Sequence, residues 1–196
     1  MNDYRLAYRS RVASVSGRRE VLTGKAPFGI FGDGKEVAQL ALAKAFRAGD
    51  WRSGYYRDQT IMFATGMSDL PQFFAQLYTN TDVTADPASA GRQMVSHFAT
   101  RTLTDDGRWT NVVAAMQSSS DLSPVAAHLP RLLGLAYASK LYREEPTLRE
   151  AADGFSVHGA AIAFAPIGNA GTPEGLFWET MNAAGLLQVP PPVPVR

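Results

Sequence analysis

The chain has no cysteine, which removes disulfides, thiolate zinc sites and a thiol nucleophile together. It also has almost no net charge: +1 at pH 7, which gives no reason to invoke nucleic acid or a membrane surface as a partner. No apolar run approaches the roughly 20 residues that span a bilayer. The N-terminus lacks the apolar stretch of a secretory signal. Arg5, Arg9, Arg11, Arg18 and Arg19 superficially suggest a transit peptide, but Asp3 and Glu20 break the pattern and a solvated basic face is the plainer reading. A cytoplasmic protein is expected. What is present is ordinary globular composition, 45% apolar and 19% charged in 196 residues, enough for one sizeable domain with its own core.

Periodicity places the elements. "GKEVAQLALAKAFRA" (34–48) sets Val37, Leu40, Ala41, Lys44 and Ala45 at helical spacing after an Asp33-Gly34 turn. Ser68 is placed to cap a helix through "DLPQFFAQLY", with Pro71 tolerated in its first turn. Residues 79–90 and the stretch "TDDGRWTN" read as loops. "PVAAHLPRLLGLAYASKLYR" (124–143) lays Val125, Leu129, Leu132, Leu133, Ala136, Tyr137 and Leu141 along one broad apolar face, which Pro130 should kink or divide. "GAAIAFAPIG" lacks polar alternation, as a covered parallel strand does, and a helix from Pro173 to about Leu187 follows. "FGIFGDG" (28–34) looks like a phosphate loop but is read as a turn.

The junction "PIGNAGTPEGLFWETMNAAG" (166–185) raises the chemical question. Backbone amides at a helix start are unpaired and carry the positive end of the helix dipole, so the natural guest is an anion, often a phosphate. A strand, Gly-rich turn and helix also occur with no guest at all. An α/β sheet would call for a second parallel strand next. The sequence offers "QVPPPVPVR", whose Pro190, Pro191, Pro192 and Pro194 cannot donate ladder bonds. That stretch is either an extended polyproline tail or a lost strand.

Four blocks then carry a resemblance. "KEVAQLALAKAFRAGDWRSGYYRDQ" (35–59) resembles the helix and Tyr-Arg-Asp-His/Gln block of the α-type part of thiamine-diphosphate-dependent 2-oxoacid dehydrogenases, the E1 component. "GRQMVSHF" (91–98) is similar to the Gly-Arg-Gln-Met-Pro-Val-His-Tyr block of the branched-chain enzymes. "SPVAAHLPRLLGLAYASKLYR" (123–143) resembles the Ser-Pro-Leu-Ala-Thr-Gln-Ile-Pro helix. "IGNAGTPEGLFWETMNAAGLLQVP" (167–190) looks like the first half of the cofactor motif, Gly-Asp-Gly followed by Glu-Gly and Asn-x-Ala-Ala. Order and spacing hold over most of residues 18–190.

The resemblance implies an α/β protein with an incomplete thiamine-diphosphate-binding fold, a parallel sheet flanked by helices and a helix-rich N-terminal part. Residues 1–190 would form the E1 α-type domain and 191–196 a Pro-rich tail. The implied cofactors are thiamine diphosphate and Mg2+. Gly168, Asn169 and Ala170 would approach the diphosphate, Asn169 standing where the family usually has an acidic metal ligand. Glu174 would complement the helix start and Asn182 would face the same end of the site. Tyr56 and Arg57 would contact the cofactor, a guanidinium suiting a diphosphate because it pairs in bidentate fashion. Without the resemblance they read as a core Tyr beside a surface Arg. Ser123 and Val125 would line the aminopyrimidine pocket, a role compatible with helix cap and core. His97 matches a catalytic-region histidine near the substrate pocket, whereas a lone His is more often structural.

The activity implied is oxidative decarboxylation of a 2-oxoacid, of branched-chain or pyruvate type, with acyl transfer to the lipoyl group of an E2 partner. The glutamate that activates the pyrimidine is expected from a β-type subunit or region, in a dimeric or heterotetrameric assembly. Nothing in the sequence resembles that part or the second half of the cofactor motif. A truncated copy or fragment of an E1 enzyme, inactive in isolation, is therefore expected. The alternative is an inactive binding or interaction module of the same descent.

Overall fold

The computed structural model describes residues 1–93 and 95–189, so the Pro-rich tail expected at 191–196 lies outside the described residues. The described chain forms two compact units that interleave in sequence. The first combines Met1–Phe46 with Tyr55–Ala99, and the second combines Arg47–Gly54 with the described residues from Thr100 onward.

The first unit is helical: α1 (Asn2–Leu22), α2 (Glu36–Ala45), α3 (Gln59–Thr65) and α4 (Leu70–Leu77). Its core gathers Phe31, Ile61, Met62, Phe73, Leu77 and Phe98, with the Phe73 ring edge-on to Phe63 and Phe74. α1 joins this core through small residues. Ser10, Ala13, Ser14 and Gly17 are its buried face, and a Cβ on Gly17 would stand 2.5 Å from the Phe31 ring. The close approach lets the Gln59 amide donate to the Ser10 carbonyl (3.0 Å), Ser10 Oγ (3.1 Å) and Ser14 Oγ (3.0 Å). Buried amides and hydroxyls satisfied in this way avoid the penalty of an unmade bond.

Two sequence expectations are corrected here. The face of α2 expected inward included Val37, which is 80% exposed. Leu40 of that face is buried, but Glu36 and Gln39 are buried beside it in place of Val37. Glu36 takes a bidentate pair from Arg11 (2.6 and 2.9 Å) and the Gly34 amide, so specific polar bonds outweigh the apolar pattern. The cap of α4 is Asp69 rather than Ser68: its carboxylate accepts from the Gln72 amide at 2.9 Å, and Pro71 follows in the first turn.

The second unit holds a three-stranded parallel sheet in the order β2-β1-β3, with β1 (Trp51–Arg52), β2 (Gln117–Ser118) and β3 (Ala163–Phe164). Arg52 is in register with Ser118 on one side and Phe164 on the other. Helices α5 (His128–Glu144), α6 (Pro146–Ala151) and α7 (Gly175–Leu186) follow. Ala126, Leu129 and Leu132 form the core against Ala163, Ala165, Ile167 and Phe177. The expected parallel sheet flanked by helices is present, but its strands are two residues long, and "GAAIAFAPIG" is strand only at Ala163–Phe164 and half-buried there. Pro130 does not divide the helix expected from 124: α5 begins at His128, which places the proline in the first turn, where it costs no internal bond. Pro173 likewise lies ahead of α7, whose cap is Glu174. No helix among the described residues is long and apolar enough to cross a membrane.

Candidate functional site

In the second unit the loops that leave β1, β2 and β3 emerge from the carboxyl ends of parallel strands, the edge where open α/β sheets take ligands. After β3 the chain runs through Pro166 and Ile167 into a 3-10 turn, Asn169–Gly171, and then into α7. The Gly171 amide donates to the Gly168 carbonyl (2.9 Å) and the Thr172 amide to the Asn169 carbonyl (3.2 Å). The amides of Asn169 and Ala170 stand ahead of these bonds and have no acceptor among the described residues. Such amides, followed by the positive end of a helix, suit an anion.

Small residues keep this turn low. Gly171 is buried, and a Cβ there would meet Ile167 at 3.0 Å and the Val125 side chain at 3.4 Å. Val125, on the loop between β2 and α5, thus lies against the Gly168–Gly171 turn as well as being 51% exposed. Beside it Ala126 is fully buried with φ +62°, a left-handed conformation that turns the chain into α5. Ser123, Asn169, Ala170, Glu174 and Asn182 are all exposed, Ser123 on the same loop and Asn182 two turns into α7. The structure therefore brings Val125 to the turn that carries Gly168, Asn169 and Ala170.

Beneath the loops sits a polar floor that sequence reasoning missed. Arg52 is fully buried and donates to Ser118 Oγ (2.7 Å) and to both oxygens of Asp121 (2.7 and 3.1 Å). Gly54 makes room for it: a Cβ there would fall 2.0 Å from the guanidinium. Ser53 Oγ donates to the His128 carbonyl at 2.8 Å, and His128 Nε2 donates to the Pro166 carbonyl at 2.8 Å. His128 thereby ties the start of α5 to the residue after β1 through its carbonyl, and to the segment entering the Gly168 turn through its imidazole. Burial pushes the His128 imidazole below its ordinary value; the Pro166 carbonyl opposes this and the Arg52 charge adds to it. Arg52 and Asp121 left no local sequence signal because they meet across 69 positions.

Tyr56, Arg57 and His97 belong to the first unit. Tyr56 is half-buried with its ring edge-on to Tyr55, and Arg57 is exposed. Their turn is closely held. Asp58 is fully buried and accepts from the Tyr55 amide at 3.2 Å. The buried Gln39 amide donates to the Arg57 carbonyl (2.9 Å) and Asp58 (3.3 Å) and accepts from the Thr60 and Ile61 amides (3.0 and 3.2 Å). "FGIFGDG" buttresses the same turn, since a Cβ on Gly32 would meet the Arg57 carbonyl at 2.3 Å. His97 is buried, its Nδ1 donating to the Val95 carbonyl at 2.7 Å while Gln76 brackets its backbone amide.

The donor set at the Gly168 turn fits a diphosphate: free amides, a helix start and no bulky side chain between residues 168 and 171. It fits a divalent metal less well. Asn169 brings a neutral oxygen, and no group of three or more His, Asp or Glu that could hold a metal exists among the described residues. Magnesium needs one or two protein oxygens when phosphates and water supply the rest, and Asn169 can serve as one of them.

Comparison with known proteins gives these observations a context. The chain is 29% identical to the 2-oxoisovalerate dehydrogenase subunit alpha of Bacillus subtilis (strain 168) over 171 residues, which cover 86% of this chain and 42% of that protein. It thus spans about two fifths of the length of that relative. Residues 5–193 match the sequence profile of the dehydrogenase E1 component. That match embraces both units and every candidate residue above, and the chain belongs to the dehydrogenase E1 component family.

Proposed function

We propose that this chain supplies the diphosphate- and metal-binding part of a thiamine-diphosphate-dependent 2-oxoacid dehydrogenase, acting on a branched-chain 2-oxoacid or pyruvate. The observation that carries the reading is the turn after β3, where the Asn169 and Ala170 amides open onto solvent at the foot of α7, with Val125 against them. The cofactor, when bound, supplies the nucleophilic carbon and the electron sink that decarboxylation needs. The residues of this chain bind and orient. The two amides and the α7 dipole hold the diphosphate, and the Asn169 side chain offers its oxygen to magnesium. Arg57, presented by the turn that Gln39 and Asp58 fix, pairs with phosphate oxygens, with Tyr56 beside it. In this reading Ser123 and Val125 bound the aminopyrimidine, Glu174 borders the helix start, Asn182 contributes from two turns further along α7, and His97 is assigned to the substrate. The activating glutamate comes from a β-type partner, and the acyl group passes to a lipoyl-bearing E2.

A second reading, an inactive E1-like binding module, is supported by the neutral Asn169 in place of a charged ligand. Affinity and turnover separate the two readings from a mere structural turn. Thiamine diphosphate titrated with magnesium present is expected to bind Arg57→Ala about tenfold more weakly or worse, because a charge-assisted phosphate bond contributes roughly 1.5–3 kcal/mol. Arg101→Ala serves as the control, since Arg101 is 70% exposed and, among the described residues, is paired with Asp105. Equal titrations of the two variants would remove Arg57 from the site. Cofactor binding with no turnover beside an active β-type partner would select the module.

A further inference from the structure

The strongest feature that the cofactor reading leaves unused is the outer face of α1. The helix buries its small residues and turns its large apolar ones outward: Tyr4 is 72% exposed, Tyr8 60%, Val15 56% and Leu22 80%. Met1, Tyr8, Val15 and Leu22 recur every seven residues, with Tyr4 and Val12 beside them. The Tyr4 and Tyr8 rings stack at 6.2 Å, which presents them as one continuous surface. A seven-residue repeat on an α-helix is the seam by which a second helix is met, because slight supercoiling keeps such positions in line.

We infer that this stripe is a docking face for an amphipathic helix with acidic flanks on another polypeptide. Charge decides the occupant. Arg5 and Arg9 border the stripe on one side and carry its unpaired charge among the described residues, whereas Arg18 on the other side is paired with Asp33 (2.7 Å) and Arg19, within it, lies 4.0 Å from Glu20. Among the described residues, Arg5 and Arg9 have no carboxylate partner. Of the acidic residues of α1, Asp3 pairs with Lys44, and Glu20 accepts from the Tyr78 hydroxyl and stands near Arg19, so neither faces Arg5 or Arg9 as a partner among the described residues. A second copy of α1, laid parallel or antiparallel, would bring arginine against arginine, which opposes pairing. A glutamate-flanked helix meets the same arginines with opposite sign, and guanidinium forks suit carboxylates. The apolar stripe is one to two residues wide and its reverse side is fixed in a protein core, whereas helices that lie on membranes need a broad apolar face.

The surface does not depend on the cofactor site and is tested apart from it. Two synthetic peptides of equal length serve as probes, each with leucines at 3-4 spacing, one flanked by glutamates and the other by lysines. Fluorescence anisotropy with the full chain should show the acidic peptide binding roughly tenfold tighter or more, with the advantage shrinking as salt screens it. Tyr8→Ser with Val15→Ser should abolish binding, while circular dichroism shows the fold intact. Arg5→Glu with Arg9→Glu should reverse the preference between peptides. Binding of neither peptide, equal binding of both, or binding that survives the Tyr8/Val15 change overturns the proposal. So does concentration-dependent dimerisation through α1, or attachment to vesicles containing anionic lipid without discrimination between the peptides.

Discussion

His128 stands where three segments meet, and its proton inventory is the sharpest residue-level consequence of the structure. Its Nε2 donates to the Pro166 carbonyl while its own carbonyl accepts from Ser53. Burial lowers its affinity for a second proton relative to the unfolded chain. Between the ordinary value of about 6.5 and the lower folded value, the unfolded state therefore binds more protons. Stability from this group is complete above about pH 6.5 and is lost as the pH falls through the folded value. A glutamine can donate to the same carbonyl without titrating. The urea midpoint of the natural protein should fall more steeply from about pH 7 to about pH 5.5 than that of His128→Gln. Parallel curves would contradict the role. At this scale the sequence singles out Tyr56, Arg57 and Asn169 through the motifs that contain them. It was silent on Gln39, Asp58, Arg52, Asp121 and His128, whose meaning lies in partners distant along the chain.

Among the elements, α1 and α2 show which faces helices bury. Each buries a face chosen by close approach or specific polar bonds: Ser10, Ala13, Ser14 and Gly17 in α1, Glu36 and Gln39 in α2. In α2 the apolar pattern named Leu40 rightly and Val37 wrongly, and in α1 the large apolar side chains lie on the exposed face. Two glycine substitutions separate packing from propensity. Gly134 in α5 has nothing within 4 Å of an added Cβ, so Gly134→Ala should stabilise by about 0.5–1 kcal/mol through backbone entropy alone. Gly17→Ala gains the same propensity but drives a methyl into Phe31 and Leu77, where overpacking costs about 1–3 kcal/mol, and should be neutral or destabilising. Urea denaturation of both variants checks the pair. Equal stabilisation would mean that α1 does not sit as closely as described. The strands were the least legible elements, because two residues carry no alternation to read.

For the whole molecule, the sheet explains both the interleaving and the position of the candidate turn after β3. The excursion 47–54 leaves the helical unit to supply the central strand, pairing with residues 117–118 and 163–164. A sequence reading of one continuous domain could not see this, since the partners are more than sixty residues apart. Parallel pairing was legible in the unalternated run "GAAIAFAPIG" and in the resemblance, whereas the order β2-β1-β3 was legible in neither. Because the pyrimidine-activating glutamate is expected from a β-type partner, purified chain with thiamine diphosphate and magnesium should release no carbon dioxide from pyruvate or a branched-chain 2-oxoacid. Measurable release would overturn that division of labour.

The central claim, that the turn after β3 holds a diphosphate, is tested most directly by residue-resolved amide spectroscopy. Thiamine diphosphate with magnesium, titrated into labelled protein, is predicted to move the amide signals of Asn169, Ala170 and Gly171 ahead of the rest of the second unit. Asn169→Asp should tighten the magnesium dependence of those shifts, because a hard cation gains a charged oxygen. If these amides stay in place while the cofactor binds elsewhere, or if the aspartate leaves the metal curve unchanged, the turn is architecture alone.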